Sequence, residues 1–273
     1  MENQGYPDEA TIRKYKLEAF FGFDPDVNLC YVAIGVLAIL TLILTYQNYK
    51  APRKYMYMYV LTGSGLAEIA GYIGRIVTIN DPNLPNFIFM DVFLLLTPNA
   101  LAFVEYKTVS KLMQKMNIEK AFKIPAKWVA RVFVFSDVVS FVVQSCAAGY
   151  LTSGDADQEK VGKVVMLTGL AIQLFFFTGF LILMTHVFMK ATGLRIVFLA
   201  LYIQMACLYA RGVYRVVEFA SDHSAQVNQH EYFFYIFDSL MVGICFVTYI
   251  VFYFPKYLEK DFKVVHPTME EEK

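Results

Sequence analysis

The chain has 273 residues, of which 57% are hydrophobic and 18% charged, and its formal charges cancel. A mean hydropathy of +0.45 lies well above that of an ordinary soluble domain, and zero net charge removes the global basic field that a nucleic-acid binder needs. With 25 Phe and 19 Tyr but a single Trp, the composition is that of an aromatic-rich membrane protein.

Residues 1–26 are polar and mildly charged and read as an extracellular N-terminal tail. Seven apolar runs long enough to span a bilayer follow: Val27–Tyr46, Tyr55–Ile79, Phe87–Leu112, Ala126–Tyr150, Lys163–Met189, Ile196–Val217 and Tyr232–Phe254. The expectation is an all-α polytopic membrane protein, with residues 27–254 forming one seven-transmembrane-helix bundle. Lys and Arg crowd one set of flanks: Lys50 to Lys54, Lys107 to Lys127, Lys190 to Arg195, and Lys256 onward. The other flanks carry only Arg13, Lys14, Lys16, Lys160 and Lys163. The positive-inside rule then puts the N-terminus outside and the C-terminus in the cytosol. Residues 255–273 end in Glu270-Glu271-Glu272-Lys273 and read as a disordered cytosolic tail. Cys30, Cys146, Cys207 and Cys245 lie in apolar runs without CxxC spacing, which indicates neither a zinc knuckle nor a redox pair. A Cys30–Cys146 bridge is the disfavoured reading.

Ionisable groups inside these runs are the informative feature, because each costs at least about 2.5–3.5 kcal/mol in hydrocarbon unless it is paired or faces water. The second run carries Glu68, Tyr72 and Arg75 at i, i+4, i+7, among small residues whose Gly63/Ala67/Gly71 spacing allows close helix approach. The third has Asp91, then Thr97-Pro98-Asn99, where proline frees a backbone carbonyl, and Glu105-Tyr106-Lys107. The fourth aligns Asp137, Ser140 and Gln144; the fifth carries Thr168, Gln173 and His186. On the sixth, Arg211, Arg215 and Glu218 share a face, and on the seventh Glu231, Tyr235 and Asp238 repeat that spacing. Arg211 lies seven residues before Glu218 and Asp238 seven after Glu231, so both sit roughly 10 Å deep in an antiparallel hairpin and are expected to pair. These polar groups are skewed toward the outer side. Two accounts fit them: a network that holds the helices in register, and an outward-opening cavity for a polar or amphiphilic head group.

Several chemistries are missing. No Gly-x-x-x-x-Gly-Lys-Ser/Thr loop is present, so the chain does not itself hydrolyse ATP. The last run has no lysine for a retinal Schiff base, and no Gly-x-Ser-x-Gly elbow occurs. Only His186 is clearly intramembrane, and a metal held by His223, His230 and nearby carboxylates is disfavoured. No cofactor is called for, and the chain is not an evident enzyme.

Six segments in order then carry a family resemblance. They are Glu68-x-x-Gly71-Tyr72-x-x-Arg75, Leu96-Thr97-Pro98, Asp137-x-x-Ser140-Phe141-x-x-Gln144, Gly169-Leu170-x-x-Gln173, Arg211-x-x-Tyr214-Arg215-x-x-Glu218 and Glu231-x-x-x-Tyr235-x-Phe237-Asp238. The chain resembles the RTA-like family of fungal lipid-translocating exporters from about Asp24 to Phe254. It departs from the family pattern at Ala147-Ala148-Gly149, where a glycine-rich run is usual, and at Thr97, where alanine is usual. The resemblance implies a seven-helix fungal plasma-membrane protein, with other endomembranes as an alternative. It also implies action on amphiphiles: export of sphingoid long-chain bases, resistance to toxic amphiphiles and, in one branch, porphyrin traffic. An amine head group would suit Glu68, Asp137, Glu231 or Asp238, with Arg211 and Arg215 as partners or phosphate binders. Drive would come from a gradient, from proton coupling through Glu68 or Asp137, or from downhill flipping. Two alternatives stay open: a seven-helix receptor or sensor for an amphiphile, although Asp-Arg-Tyr and Asn-Pro-x-x-Tyr are absent, and a metal-dependent intramembrane enzyme.

Overall fold

The computed structural model describes residues 9–23, 25–51, 55–116, 126–151, 156–190, 195–221 and 230–259, and among them there is helix and no strand. The helices are α1 Glu9–Phe21, α2 Val27–Lys50, α3 Tyr59–Asn80 (entered by a 3-10 turn, Met56–Met58), α4 Leu84–Lys115, α5 Ala126–Leu151, α6 Ala156–Lys190 and α7 Arg195–Ala220. The last rod is composite: α8 Glu231–Phe234, a π-helical turn Tyr235–Leu240, and α9 Met241–Val251, followed by α10 Phe254–Glu259. Caps fix the starts. Asp26 accepts from the Asn28 amide at 2.9 Å ahead of α2. Asn83 accepts from the Asn86 amide at 3.0 Å ahead of α4, with Pro85 in its first turn. The break between α9 and α10 follows from Pro255, which cannot donate to the carbonyl four residues back and instead sits in the first turn of a new helix.

Both ends of the chain carry helix. The N-terminal tail contains α1, which is docked: Arg13 donates to the Ile79 carbonyl at 2.8 and 3.2 Å, and Phe20 stacks on Phe87 at 5.0 Å. At the other end residues 254–259 are helical, while 260–273 lie outside the described residues. The four cysteines are free; Cys30 is buried and Cys146 exposed.

The rods pack in a closed ring in sequence order, α2 on α3, α3 on α4 and so on to α7, with α9 returning to both α7 and α2 and α4 reaching inward to α7 and α9. Among the described residues six stretches are long and apolar enough to cross a membrane: Val27–Lys50, Leu84–Lys115, Ala130–Leu151, Asp157–Lys190, Arg195–Ala220 and Glu231–Lys256. Their outward faces expose Val32, Ile39, Leu42, Phe135, Phe175 and Ile182, a contiguous apolar coat that water would penalise and lipid would not. At 22 residues α3 is as long as a span, but glycines, Glu68 and Arg75 dilute its hydropathy, and it lies between α2 and α4. Its small residues do make the close approach. A methyl group on Gly71 would meet Leu94 Cδ2 at 2.8 Å, one on Gly74 would meet the Met90 Cα at 3.2 Å, and one on Gly65 would strike Thr41. Gly63 meets nothing within 4 Å, so the seam with α4 runs through Gly71 and Gly74 and the close approach to α2 through Gly65.

Candidate functional site

The site begins with a backbone defect. Pro98 lies inside α4 and has no N–H to give the carbonyl of Leu94, four residues back. Arg211 of α7 fills the gap: its Nη2 donates to Leu94 O at 2.9 Å in a buried contact. The same guanidinium places Nε 2.7 Å from Asp238 Oδ1, an ionic contact off the hydrogen-bond line. Arg215, one turn further, donates from Nε to the same oxygen at 3.3 Å and reaches Glu218 at 3.3 Å and Asp91 at 3.8 Å. One aspartate oxygen therefore serves two arginines, and the residues expected to pair across the hairpin meet.

The other half of the expected stripe turns away. In an unbroken α-helix Glu231, Tyr235 and Asp238 share a face. The π turn at Tyr235–Leu240 widens the helix by a residue and rotates Asp238 toward α7. Glu231 and Tyr235 face α2 and α3 instead. Glu231 takes Arg75 Nη2 at 3.1 Å and the backbone amide of Asp26 at 2.8 Å. The Tyr235 hydroxyl lies 3.3 Å from Cys30 Sγ, and its ring stacks on Tyr72 at 6.2 Å. Arg75 is also boxed by rings, with Cζ 4.3 Å from the Phe234 centroid, 4.8 Å from Phe21, and 5.8 Å from both Phe23 and Tyr235. Phe21 and Phe23 come from the N-terminal segment, so α1 is tied to the bundle through this cation.

Above these pairs lies a cavity of about 290 Å³. Its polar wall is Arg75, Asp91, Arg215 and Glu218, its roof Phe20, Phe21 and Phe23, and its far rim Glu159, Lys163 and Ser221. Of the sequence candidates, Arg75, Asp91, Arg215 and Glu218 line it, while Arg211, Asp238 and Glu68 sit behind the wall. Glu68 is fully buried and neither carboxyl oxygen has a hydrogen-bond partner; Asp238 and Arg211 are its charged neighbours. The hydroxyl of Thr97, which it faces, is directed to the Ser64 carbonyl at 3.2 Å. A separate amide ladder links α5, α6 and α4, with Gln144 donating to Gln173 at 3.1 Å and Gln173 to Asn99 at 2.8 Å. Asp137 joins neither group. It faces Tyr106, outside the ion-pair network.

Sequence reasoning missed the three phenylalanines of the roof, and it named Glu105 without its isolation: that residue is 0% exposed and neither carboxyl oxygen has a hydrogen-bond partner. Among the described residues no three metal-ligating side chains come together, and His223 lies outside the described residues.

Comparison with known proteins now bears on this geometry. A Saccharomyces cerevisiae protein described as an uncharacterized membrane protein is 32% identical over 186 residues, covering 64% of this chain and 68% of its own length. Protoporphyrin uptake protein 1 of Saccharomyces cerevisiae is 27% identical over 220 residues, 76% of this chain and 71% of the relative. A Saccharomyces cerevisiae sphingoid long-chain base transporter is 23% identical over 278 residues, 85% of this chain and 72% of the relative. Residues 61–261, from the start of α3 to beyond α10, match the family described as RTA1 like protein. This helical membrane protein belongs to the RTA1-like family.

Proposed function

We propose that the chain is a seven-helix membrane translocator of amphiphilic lipids, N-terminus outside and C-terminus cytosolic, that carries an amine-bearing head group of the sphingoid-base kind through its outer cavity. α3 is the seventh crossing in this reading: its length, its place in the ring and the burial of its polar residues support that assignment. The plasma membrane is the proposed location. Two relatives named for uptake or transport of amphiphiles favour transport over catalysis.

The observation that carries the proposal is the wall of the cavity. Asp91 and Glu218 both contact Arg215, and Asp91 is held at only 3.8 Å. A lipid amine entering the cavity would replace Arg215 as the partner of Asp91, and head-group hydroxyls would find Glu218 within reach. About 290 Å³ lies at the lower edge of ligand pockets, which run from about 300 to 1,000 Å³, so the space suits a head group while the tail stays in the bilayer.

The test is movement of a long-chain base between leaflets of liposomes containing the purified protein. Wild type should accelerate it. D91N and E218Q should slow it by about tenfold each, the equivalent of about 1.4 kcal/mol of lost head-group binding. A wild-type rate equal to that of protein-free liposomes would overturn the transport reading; full rates in both variants would overturn the site.

A further inference from the structure

Far from the cavity, two carboxyls are buried where no arginine reaches. Glu105 lies eleven residues beyond Leu94 on α4, about 16 Å along the helix from the Arg211 contact. It is 0% exposed, Asp137 on α5 is 3% exposed, and no oxygen of either has a hydrogen-bond partner. Between them stands Tyr106, itself 0% exposed and packed against Phe180 at 4.5 Å and Phe133 at 5.5 Å. Its hydroxyl is also unpartnered and faces Asp137 short of hydrogen-bond geometry.

The groups facing this pair are neutral or acidic. Glu105 meets Cys207 from α7, Cys245 and Tyr249 from α9, and Asp137 from α5. Asp137 meets Tyr106 from α4. Among the described residues no Lys, Arg or His faces either carboxyl. The contrast is Asp238, equally buried but touched by two arginines. A carboxylate sealed in a low-dielectric interior without a cation is strongly penalised, and a bound proton removes that charge. A proton also turns each carboxyl into a donor, which the orphaned Tyr106 oxygen can accept.

We propose that Glu105 and Asp137, with the Tyr106 hydroxyl between them, form a proton-binding site separate from the head-group cavity, each carboxyl holding one proton that exchanges with water as the protein works. Coupling of that exchange to amphiphile movement rests on the transport reading; proton binding does not.

Infrared spectroscopy of the purified protein in lipid tests it. At neutral pH the wild type should show carbonyl bands of protonated carboxylic acids. E105Q should lose one component and D137N another, and both components should shift after transfer to heavy water. Bands untouched by either substitution, or full ionisation of both groups at neutral pH, would overturn the proposal. So would bands that never shift in heavy water, since they would belong to permanently sealed acids. The wild-type measurement needs no variant to fold. Exchangeable bands in a protein that moves no long-chain base would sink the transport reading alone, and transport without such bands would sink the proton site alone.

Discussion

Replacing Arg211 with Met removes two interactions at once, and the structure allows them to be separated. One is the 2.7 Å contact with Asp238, which leaves a buried carboxylate with Arg215 as its remaining partner. Breaking a buried pair from one side costs about 3–5 kcal/mol, at the upper end when no second cation stands by. The other is the donor to Leu94 O, whose loss orphans a buried carbonyl at about 1–3 kcal/mol. That second share exists only because Pro98 has no N–H. Replacing Pro98 with Ala returns an amide to position 98 that can close the intrahelical bond to Leu94 O. In the Arg211→Met background, P98A should therefore recover the carbonyl share, so that the double variant is more stable than the sum of the singles by about 1–3 kcal/mol. Equilibrium unfolding of the four proteins by titration with a denaturing detergent measures this. Costs that add to within about 0.5 kcal/mol would refute the idea that Arg211 satisfies the proline-freed carbonyl.

Two further outcomes follow from the packing. G71A should destabilise by about 1–3 kcal/mol because its methyl would lie 2.8 Å from Leu94 Cδ2, whereas G63A meets nothing within 4 Å and should be neutral or stabilise by up to about 1 kcal/mol; equal melting temperatures for the two variants would contradict the seam. F21A should weaken the hold on Arg75 by about 0.5–2 kcal/mol and open the cavity roof. Maleimide labelling at Ser221→Cys, in a background with Cys146→Ser, should then speed up, and an unchanged rate would rule out the N-terminal segment as the roof.

The rods were legible because length and hydropathy are local properties, and a span announces itself within about twenty residues. The Arg211–Asp238 pair was legible for a related reason: two faces at helical spacing, equally deep on either side of one hairpin, can meet by symmetry. The pairing of Glu231 was not. Its partner Arg75 lies on α3, and the π turn that separates Glu231 from Asp238 breaks the 3.6-residue periodicity on which face arguments depend. The docking of α1 was hidden as well. That helix has no apolar stripe to read, and its attachment comes from Arg13 on a backbone carbonyl and two rings on a guanidinium, contacts that only the assembled ends of α3 and α4 create. Glu105 stood in view beside Tyr106, but the absence of a cation around it among the described residues is a property of three neighbouring helices.

Charge accounting connects these parts. Around the cavity Glu68, Asp91, Glu159, Glu218, Glu231 and Asp238 stand against Arg75, Lys163, Arg211 and Arg215. A network serving only to hold helices in register would gain most from matched charges, because each surplus buried charge is uncompensated desolvation. Here the surplus is anionic, and it takes two forms. Glu68 and Asp238 Oδ2 have no hydrogen-bond partner behind the wall, while Asp91 and Glu218 both contact Arg215 at its face. A proton suits the sealed Glu68, whereas Asp238 is already touched by two arginines. A lipid amine suits the pair that borders 290 Å³ of open space. Because Asp238 contacts both Arg211 and Arg215, a cation arriving at Asp91 would release Arg215 toward Asp238 and Glu218 and lower the need for a proton on Glu68.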